Sequence, residues 1–293
     1  MQLSNWNDLR YLLAVKRGKS LAAAAKLTGV NNTTVSRRID ALEQDLGQAL
    51  THRIPNGALA LTEFGQSVAR QAQHAEQAIE LIEDSASSNP TQCTGTVRLT
   101  SVPVVVNHLL APNMGLLLQA HPKLTVELVP ESRDLSLTER EADLALRLAR
   151  PTAGGSQLKI RKIGTLPCAV FSHKKYNAQQ IKTLPWITYN DALAHIPPER
   201  WMRKTAQQQG DNIANIKVND AETALQSVLA GLGKTVLPKA IAGDNNTLRE
   251  LPNKDSPGPP TRELWLVVHD NQSRLRRTKA VVNWIELLFA KHN

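Results

Sequence analysis

The sequence predicts a chain in three parts, a small helical head, one long helix and a larger α/β body. Residues 1–60 contain three short helical patterns separated by turn signals, and residues 62–88 carry one long amphipathic pattern. From Thr96 onward, strand-like and helix-like segments alternate, which indicates an α/β fold with largely parallel sheets. A chain of 293 residues can bury two cores of ordinary size.

Charge is distributed unevenly over these parts. The net charge is +9, with eight Lys and Arg against four Asp and Glu in residues 1–60. The ratio is one to five in residues 61–88 and 26 to 17 in residues 89–293. The total favours an anionic partner, but the position of the charge is more informative, since an acidic stretch separates two basic parts.

The first residues, MQLSNWNDLR, lack the charged and then apolar layout of a signal peptide. No apolar run approaches the roughly 18–20 residues that cross a bilayer, so we expect a cytoplasmic protein without a membrane contact. Cys93 and Cys168 are far apart and form no C-x-x-C motif. In a reducing compartment we expect both to be thiols, and the apolar run around Cys168 favours a buried inert thiol over a redox sensor.

The head begins with three closely spaced helices. The first pattern, WNDLRYLLAVKR, ends at Gly18, and Ser20 can cap a second helix, SLAAAAKLT, which stops at Gly29. The third helix is TVSRRIDALEQDLG, residues 34–47. Three short helices with tight turns match the helix-turn-helix plan. Two short apolar pieces around the turn Pro55-Asn56-Gly57 then predict a two-stranded wing.

A long helix starts at Thr62 and carries a seven-residue repeat. One seam line contains Leu61, Val68, Ala75 and Ile82, and the other contains Gly65, Ala72 and Ile79. This repeat favours pairing with a second copy of the helix, and the alternative is a helix that lies on its own domain. The Ser-, Pro- and Gly-containing stretch that follows predicts a hinge at residues 89–95.

The third helix has an apolar face and a polar opening end. Its apolar residues are Val35, Ile39, Leu42 and Leu46, which must face the other helices. Arginine can make a bidentate contact with guanine, and Ser or Thr can reach base edges or phosphates. Acidic residues follow at Asp40, Glu43 and Asp45, so only the first two turns can enter a DNA groove. The alternative is an ordinary solvated helix face.

The predicted DNA-binding residues extend from this helix to the wing and the second helix. Ser20 is the weakest member, because helix capping alone explains it, and His52 and Arg53 would reach a phosphate or the minor groove. The full set is Ser20, Asn32, Thr33, Thr34, Ser36, Arg37, Arg38, His52 and Arg53.

Polar residues also follow predicted strands in the body, where ligands bind in open α/β sheets. Ser101 and Ser132 follow the first two strands, and Arg147 ends the strand ADLALRL. Hydroxyls and a guanidinium together could hold a carboxylate. Alternatively, Ser101 only caps a helix and Arg147 only pairs with a nearby Asp. The predicted effector-binding set is Ser101, Val102, Ser132, Arg147 and Asn219.

The run from Trp6 to Gly65 resembles the winged helix-turn-helix of LysR-type transcriptional regulators. The matching pieces are LRYLLAV, SLAAAAKL, TVSRRIDALEQDLG and LTEFG, and later VLAGLGKTVLP and ADLALRL resemble the effector domain of that family. The likeness covers essentially the whole chain and is most specific in the first 65 residues. Family members often carry an aromatic residue and an arginine in the wing, where this chain has Leu50 and His52.

The resemblance implies a domain plan. Residues 1–61 would form the DNA-binding domain, 62–88 the dimerisation helix, 89–95 the hinge and 96–293 a two-lobed, periplasmic-binding-protein-like effector domain. Lobe one would hold about 96–165 and 266–293, and lobe two about 166–265. It also implies homodimers on a roughly palindromic double-stranded DNA operator, tetramers built from dimers, and a small effector, which the basic body suggests is anionic.

Three other sequence features have simpler explanations than a functional site. GLGKT, residues 231–235, lacks the upstream glycine of a phosphate-binding loop and follows a helix, so a helix end is the better interpretation. RLRR, residues 274–277, opens the last helix, where a solvated face is expected. The histidines and cysteines match no catalytic or metal-binding pattern, so we expect no enzyme activity, metal or cofactor.

Two other classes of protein are alternatives to a gene regulator. One is a solute-binding module whose helical head contacts another protein, and the other is an α/β enzyme with a helical appendage. Neither needs an arginine-bearing polar end on the third helix.

Overall fold

The computed structural model describes residues 5–54, 58–86, 93–133, 135–137, 141–151, 157–243, 245–252 and 257–290. Internal contacts divide the chain into two compact units, residues 1–88 and 89–293. Residues 1–88 form the head unit and residues 89–293 the body unit.

Three helices form the centre of the head unit, α1 (Asp8–Gly18), α2 (Leu21–Thr28) and α3 (Asn32–Leu46). The Ser20 hydroxyl accepts the backbone N–H of Ala23, which confirms the predicted cap of α2. Gly29 ends α2 in the left-handed conformation, as predicted, with φ 71°. The first helix ends differently, since Gly18 stays helical and Lys19 takes the left-handed conformation with φ 52°.

Two short strands form the wing, β1 (Thr51–Arg53) and β2 (Leu59–Leu61), paired antiparallel. The turn predicted at residues 55–57 lies outside the described residues. Glu43 of α3 accepts the backbone N–H groups of Leu50 and Thr51 at 2.7 and 3.0 Å. An acidic residue that the sequence suggested only as a source of repulsion therefore connects α3 to the wing.

The long helix α4 spans Glu63–Ala86. The Thr62 hydroxyl accepts the N–H of Gly65 and donates to the Ala49 carbonyl, which confirms the predicted helix start. A Cβ at Gly65 would lie only 2.0 Å from the carbonyl oxygen of Leu50. Glycine is therefore required where the helix crosses the backbone that enters the wing.

The seven-residue seam of α4 is buried or partly buried in the first half of the helix and exposed in the second half. In its first half, Ala69 and Ala72 are buried in the core of the head, and Lys16 of α1 donates to Gln73 at 3.3 Å. In its second half, Ile79 and Ile82 are 55% and 67% exposed. The expectation of one continuous seam for a second copy is thus wrong for the first half, which lies on its own domain.

One sheet of the body unit has five strands in the order β4-β3-β5-β12-β6. The strands are β3 (Gly95–Ser101), β4 (Leu124–Pro130), β5 (Leu144–Arg147), β6 (Leu158–Leu166) and β12 (Arg262–His269). β3 runs parallel to β4 and β5, whereas β12 is antiparallel to β5 and β6. β12 begins at Arg262, within the stretch that the sequence assigned to lobe two.

The remaining strands of the body unit form two smaller groups. They are β7 (Cys168–His173), β8 (Trp186–Tyr189), β9 (Ile213–Val218), β10 (Thr235–Pro238) and β11 (Leu248–Leu251). β7 lies between β10 and β11 and is antiparallel to both, and β8 pairs parallel with β9. The prediction of largely parallel sheets is therefore wrong, because β7 and β12 add antiparallel pairings that no sequence periodicity reveals.

Helices flank these strands. They are α5 (Pro103–Val105), α6 (Met114–Ala120), α7 (Ala178–Lys182), α8 (Pro197–Gln209), α9 (Ala221–Leu229), α10 (Lys239–Ala242) and α11 (Arg276–Ala290). α6 is preceded by a π-helical turn, Val106–Leu110, and a 3₁₀ turn, Ala111–Asn113. Pro112 lacks a backbone N–H, and the Asn113 amide donates to the Leu109 carbonyl, so the regular ladder is interrupted there.

The GLGKT segment lies between α9 and β10, as its interpretation as a helix end requires. Gly231 has φ 75°. Lys234 is buried, pairs with Asp211 at 2.8 Å and lies 4.8 Å from the ring centroid of Trp186. The lysine therefore has a structural partner inside the body unit.

Candidate nucleic-acid interface and ligand cavity

α3 exposes the polar residues at its opening end. Asn32, Thr33 and Arg37 are exposed, and Thr34 and Ser36 are partly exposed. The apolar face of the same helix is buried in the core of the head, at Val35, Ile39 and Leu42. The predicted division of α3 into an inward and an outward face is confirmed.

The opening of α3 depends on a residue that the sequence analysis missed. The Asn31 side chain accepts the backbone N–H of Thr34 at 2.7 Å. This capping bond fixes the first turn, so the outward residues are presented on a defined helix end. The signal was available, because Asn is a preferred capping residue immediately before a helical pattern.

The two adjacent arginines of α3 differ in their partners. Arg37 has no hydrogen bond or ion pair to the part of the chain that the structure describes, and its side chain is exposed. Arg38 instead lies 3.4 Å from the buried carboxylate of Asp8 on α1, measured from Nη1 to Oδ1. Burial raises the pKa of Asp8, and the positive charge of Arg38 opposes that shift. Arg38, predicted as a DNA contact, is therefore paired within the head.

The outlying DNA-binding candidates are on the surface of the head. His52 and Arg53 of β1 are both exposed. Ser20 is partly exposed and its hydroxyl oxygen is occupied as the cap of α2. The wing residues are thus available to a partner, and Ser20 has the structural role that was the alternative for it.

A cavity of about 430 Å³ lies in the body unit between elements of its two main sheets. This volume is within the range of small-molecule sites. Of the predicted effector-binding residues, Val102, Ser132, Arg147 and Asn219 line the cavity. The structure thus brings together four residues that are up to 117 positions apart in sequence, counting from 102 to 219.

Ser101 does not belong to that lining. It is buried, and its hydroxyl donates to the Leu146 carbonyl of the neighbouring strand at 2.8 Å. The prediction that Ser101 contacts the effector is therefore not supported by its position, because its side chain is used between β3 and β5. Arg147 donates to the Leu135 carbonyl at 3.0 Å while it lines the cavity.

Three cavity residues that the sequence analysis missed lie together. Arg262, Tyr189 and Cys168 come from β12, β8 and the start of β7. Burial lowers the pKa of Arg262, and it raises the pKa of Cys168 to about 11 and that of Tyr189 above its usual range. The thiol and the phenol are consequently neutral at pH 7, beside one guanidinium.

Arg150 and Asp220 complete the charged lining of the cavity. Arg150 lies 5.5 Å from the ring centroid of Trp265, a cation–π contact. Asp220 caps α9 by accepting the N–H and the hydroxyl of Thr223, both at 2.8 Å. With Arg147 and Arg262 also present, positive charge exceeds negative charge around the cavity.

Metal-binding clusters and membrane-spanning helices are absent from the described residues. These residues contain no group of three or more His, Cys, Asp or Glu side chains that could hold a metal ion. None of their helices combines the length and the apolar character needed to cross a membrane.

Family models match both units of this chain. Residues 6–66 match the bacterial regulatory helix-turn-helix of the LysR family, and residues 91–289 match the LysR substrate binding domain. The chain therefore belongs to the LysR family of bacterial transcriptional regulators, which combine a DNA-binding helix-turn-helix with an effector-binding domain. The resemblance seen in the sequence is confirmed. The two family matches give no support to the alternative of a solute-binding module without DNA binding.

Curated relatives match over nearly their whole lengths. The Mau operon transcriptional activator of Paracoccus denitrificans is 28% identical over 294 residues, covering 98% of this chain and 97% of the relative. A probable hydrogen peroxide-inducible genes activator of Mycobacterium leprae is 26% identical, covering 97% and 94%.

Solved structures share the fold at lower identity. Full-length OxyR from Pseudomonas aeruginosa superposes with a TM-score of 0.70 at 16% identity, covering 97% of this chain and 98% of that chain. ArgP from Mycobacterium tuberculosis gives a TM-score of 0.67 at 17% identity, covering 99% and 98%. These likenesses support the predicted architecture of a winged helix-turn-helix followed by a two-lobed α/β effector domain.

Proposed function

We propose that the opening end of α3 reads the major groove of an operator and that a small anionic effector in the body cavity modulates this binding. The proposed base-reading residues are Asn32, Thr33, Thr34, Ser36 and Arg37, with His52 and Arg53 on neighbouring phosphates or the minor groove. Ser20 would contribute mainly through the start of α2. Arg38 is left out of this set because Asp8 holds it.

The observation that carries the DNA-binding proposal is Arg37. Its charge is exposed and has no partner in the described part of the chain, on a helix whose opposite face is buried. An unpaired guanidinium on a rigid helix can make a bidentate contact with guanine at little entropic cost. The neighbouring hydroxyls of Thr33 and Ser36 can contact base edges or phosphates.

The test is operator binding by the full chain, after selection of bound sites from genomic DNA fragments. Arg37→Ala should weaken specific binding by about 1–3 kcal/mol, roughly 5- to 150-fold. Arg70→Ala is the matched control, because Arg70 is an exposed arginine of the same unit that belongs to α4 and to neither α3 nor the wing strands. Equal affinity of the Arg37 variant and the control would contradict this placement of DNA.

The effector part of the proposal rests on the cavity. Arg147, Arg150 and Arg262 line a space of about 430 Å³, and among the described residues of its lining the carboxylate is that of Asp220. We place the boundary between the lobes near residues 166 and 262, because β12 begins at Arg262 and belongs to the five-stranded sheet. An effector between lobes would change the population of two lobe arrangements, limited by its differential affinity for them.

The assembly is also proposed. Ile79 and Ile82 expose an apolar surface on the second half of α4, which suits pairing with a second copy. Two α3 helices of such a dimer would occupy successive major grooves of a roughly palindromic site. We further propose tetramers formed through effector-domain contacts, a cytoplasmic location set by the DNA target, and a role without enzyme activity.

A further inference from the structure

One of the arginines that line the cavity, Arg262, lies beside the neutral side chains of Cys168 and Tyr189. Arg262 is mostly buried, and its Nε donates to the Leu148 carbonyl at 3.2 Å. Among the residues that the structure describes, Arg262 forms no ion pair with a carboxylate. A guanidinium withdrawn from water without a counter-ion is costly, and an anion from outside the chain would offset that cost.

The groups beside Arg262 can assist an oxyanion. Tyr189 is 4% exposed, lines the cavity, and its hydroxyl has no hydrogen-bond partner in the described part of the chain. Its backbone N–H donates to the fully buried Glu199 at 2.8 Å, and Glu199 also pairs with Arg203. The ring is therefore held in place, and its neutral hydroxyl is a donor for a carboxylate oxygen.

Most of the remaining lining is apolar. It includes Val102, Val104, Leu148, Leu193, Ile196 and Val236, together with three prolines. These apolar walls gain free energy when they cover hydrocarbon. Apart from arginine and Tyr189, the polar lining among the described residues consists of Ser132, His195, Asn219 and Asp220. Arg150 stacks on Trp265 and Arg147 is bonded to the Leu135 carbonyl, so both already have protein contacts.

We infer that the effector is a carboxylic acid with one carboxylate and an apolar body, whose carboxylate contacts Arg262 and Tyr189. This inference depends on the proposed effector function of the cavity and specifies the ligand class of that same site. Arg147 and Arg150 then attract the anion, while Arg262 binds it directly.

The experiment is calorimetry and thermal unfolding of the full chain with defined probes. The probes are straight-chain monocarboxylates from propionate to octanoate, benzoate and phenylacetate, the primary amides of the same acids, succinate and inorganic phosphate. We expect the longer acids or the aromatic acids to bind at least about tenfold more tightly than their amides, since a charged hydrogen bond is lost. Succinate and phosphate should bind more weakly than the best monocarboxylate.

Variants assign the carboxylate to its partner. Arg262→Met should remove the preference for binding the acid over its amide. Tyr189→Phe should weaken binding of the acid by about fivefold, and Arg249→Met should change neither the preference nor the affinity. Arg249 is an exposed arginine of β11 outside the cavity lining. Unfolding of the unliganded variants checks their fold, and replacing a buried charge by an apolar side chain of similar length is usually tolerated.

The possible outcomes distinguish failure of the proposed ligand class from failure of the proposed anionic effector. Preference for succinate or phosphate that survives Arg262→Met would overturn the ligand class and keep an anionic effector. Equal binding of acids and amides would overturn both. No binding by any probe, with operator binding intact, would overturn the ligand class while the DNA-binding function stands.

Discussion

The opening end of α3 and the body cavity each contain an arginine that we propose binds an anion, but they hold that charge differently. Within the part of the chain that the structure describes, exposed Arg37 has no hydrogen bond or ion pair, whereas the mostly buried Arg262 donates to one carbonyl oxygen, that of Leu148. Exposed arginine suits a large polyanion that supplies much of the binding through its phosphates. Buried arginine suits a small anion, because desolvation strengthens a single contact and makes it selective.

Arg38 shows that sequence position alone does not separate these cases. It follows Arg37 directly, yet it faces α1 and lies 3.4 Å from the Asp8 carboxylate. Adjacent residues of a helix point about 100° apart, so one arginine can face DNA while the next supports the fold.

The largest effect should come from the inner face of α3. Leu42 is fully buried, so Leu42→Ala should lower the free energy of unfolding of the head by about 2–5 kcal/mol. Thr33→Ala, on the outer face, should change it by less than about 0.5 kcal/mol. Denaturant titration followed by circular dichroism measures both, and a similar loss in the two variants would contradict the orientation of α3.

The next largest effect should be slow alkylation of Cys168, because this thiol is buried beside the cavity. Because its pKa is raised to about 11, its thiolate is scarce at pH 8 and grows as pH rises toward that value. Alkylation by iodoacetamide in a Cys93→Ser background should proceed at roughly one-hundredth of the rate of an ordinary thiol or less at pH 8. A rate that levels off below pH 9 would show an accessible, ordinary thiol.

Self-association should depend on the second half of α4. Ile79→Glu with Ile82→Glu places two charges on the exposed apolar surface and should raise the dimer dissociation constant at least about tenfold. Leu287→Glu is a control on an exposed apolar residue of α11. Light scattering over a concentration series measures the change, and an unaffected dimer would place the interface elsewhere.

A smaller effect on stability is expected from the ion pair between Arg38 and Asp8, a partner that Arg37 lacks among the described residues. Arg38→Ala leaves the Asp8 carboxylate buried without its cation and should destabilise the head by about 1–2 kcal/mol, discounted for the partial exposure of Arg38. Adding Asp8→Asn should restore part of the loss, because the unpaired charge is then gone. If the single variant is as stable as the parent, the pair contributes little.

The sequence predicted features that depend on local chemistry. The inward face of α3, the Ser20 cap and the Thr62 helix start follow from spacing and capping preferences of neighbouring residues. Val102, Ser132 and Arg147 also followed, since ligand sites collect where strands end.

Features that depend on pairing between strands far apart in the sequence could not be predicted from it. Arg262 enters the cavity because β12 inserts antiparallel between β5 and β6, more than a hundred residues after β5. No periodicity encodes that insertion. The predicted effector contact of Ser101 is not supported, because its hydroxyl donates to the Leu146 carbonyl of the neighbouring strand β5. That strand pairing, too, is not visible in the sequence.

The most direct measurement compares the preference for the operator over scrambled DNA in Arg37→Ala and Arg38→Ala, at matched salt and equal folded fraction. A guanine-reading Arg37 predicts that the preference falls by about 5- to 150-fold in the first variant and stays within about twofold in the second. The reverse order, or no change in either, would contradict the assignment of the opening end of α3 to the DNA groove.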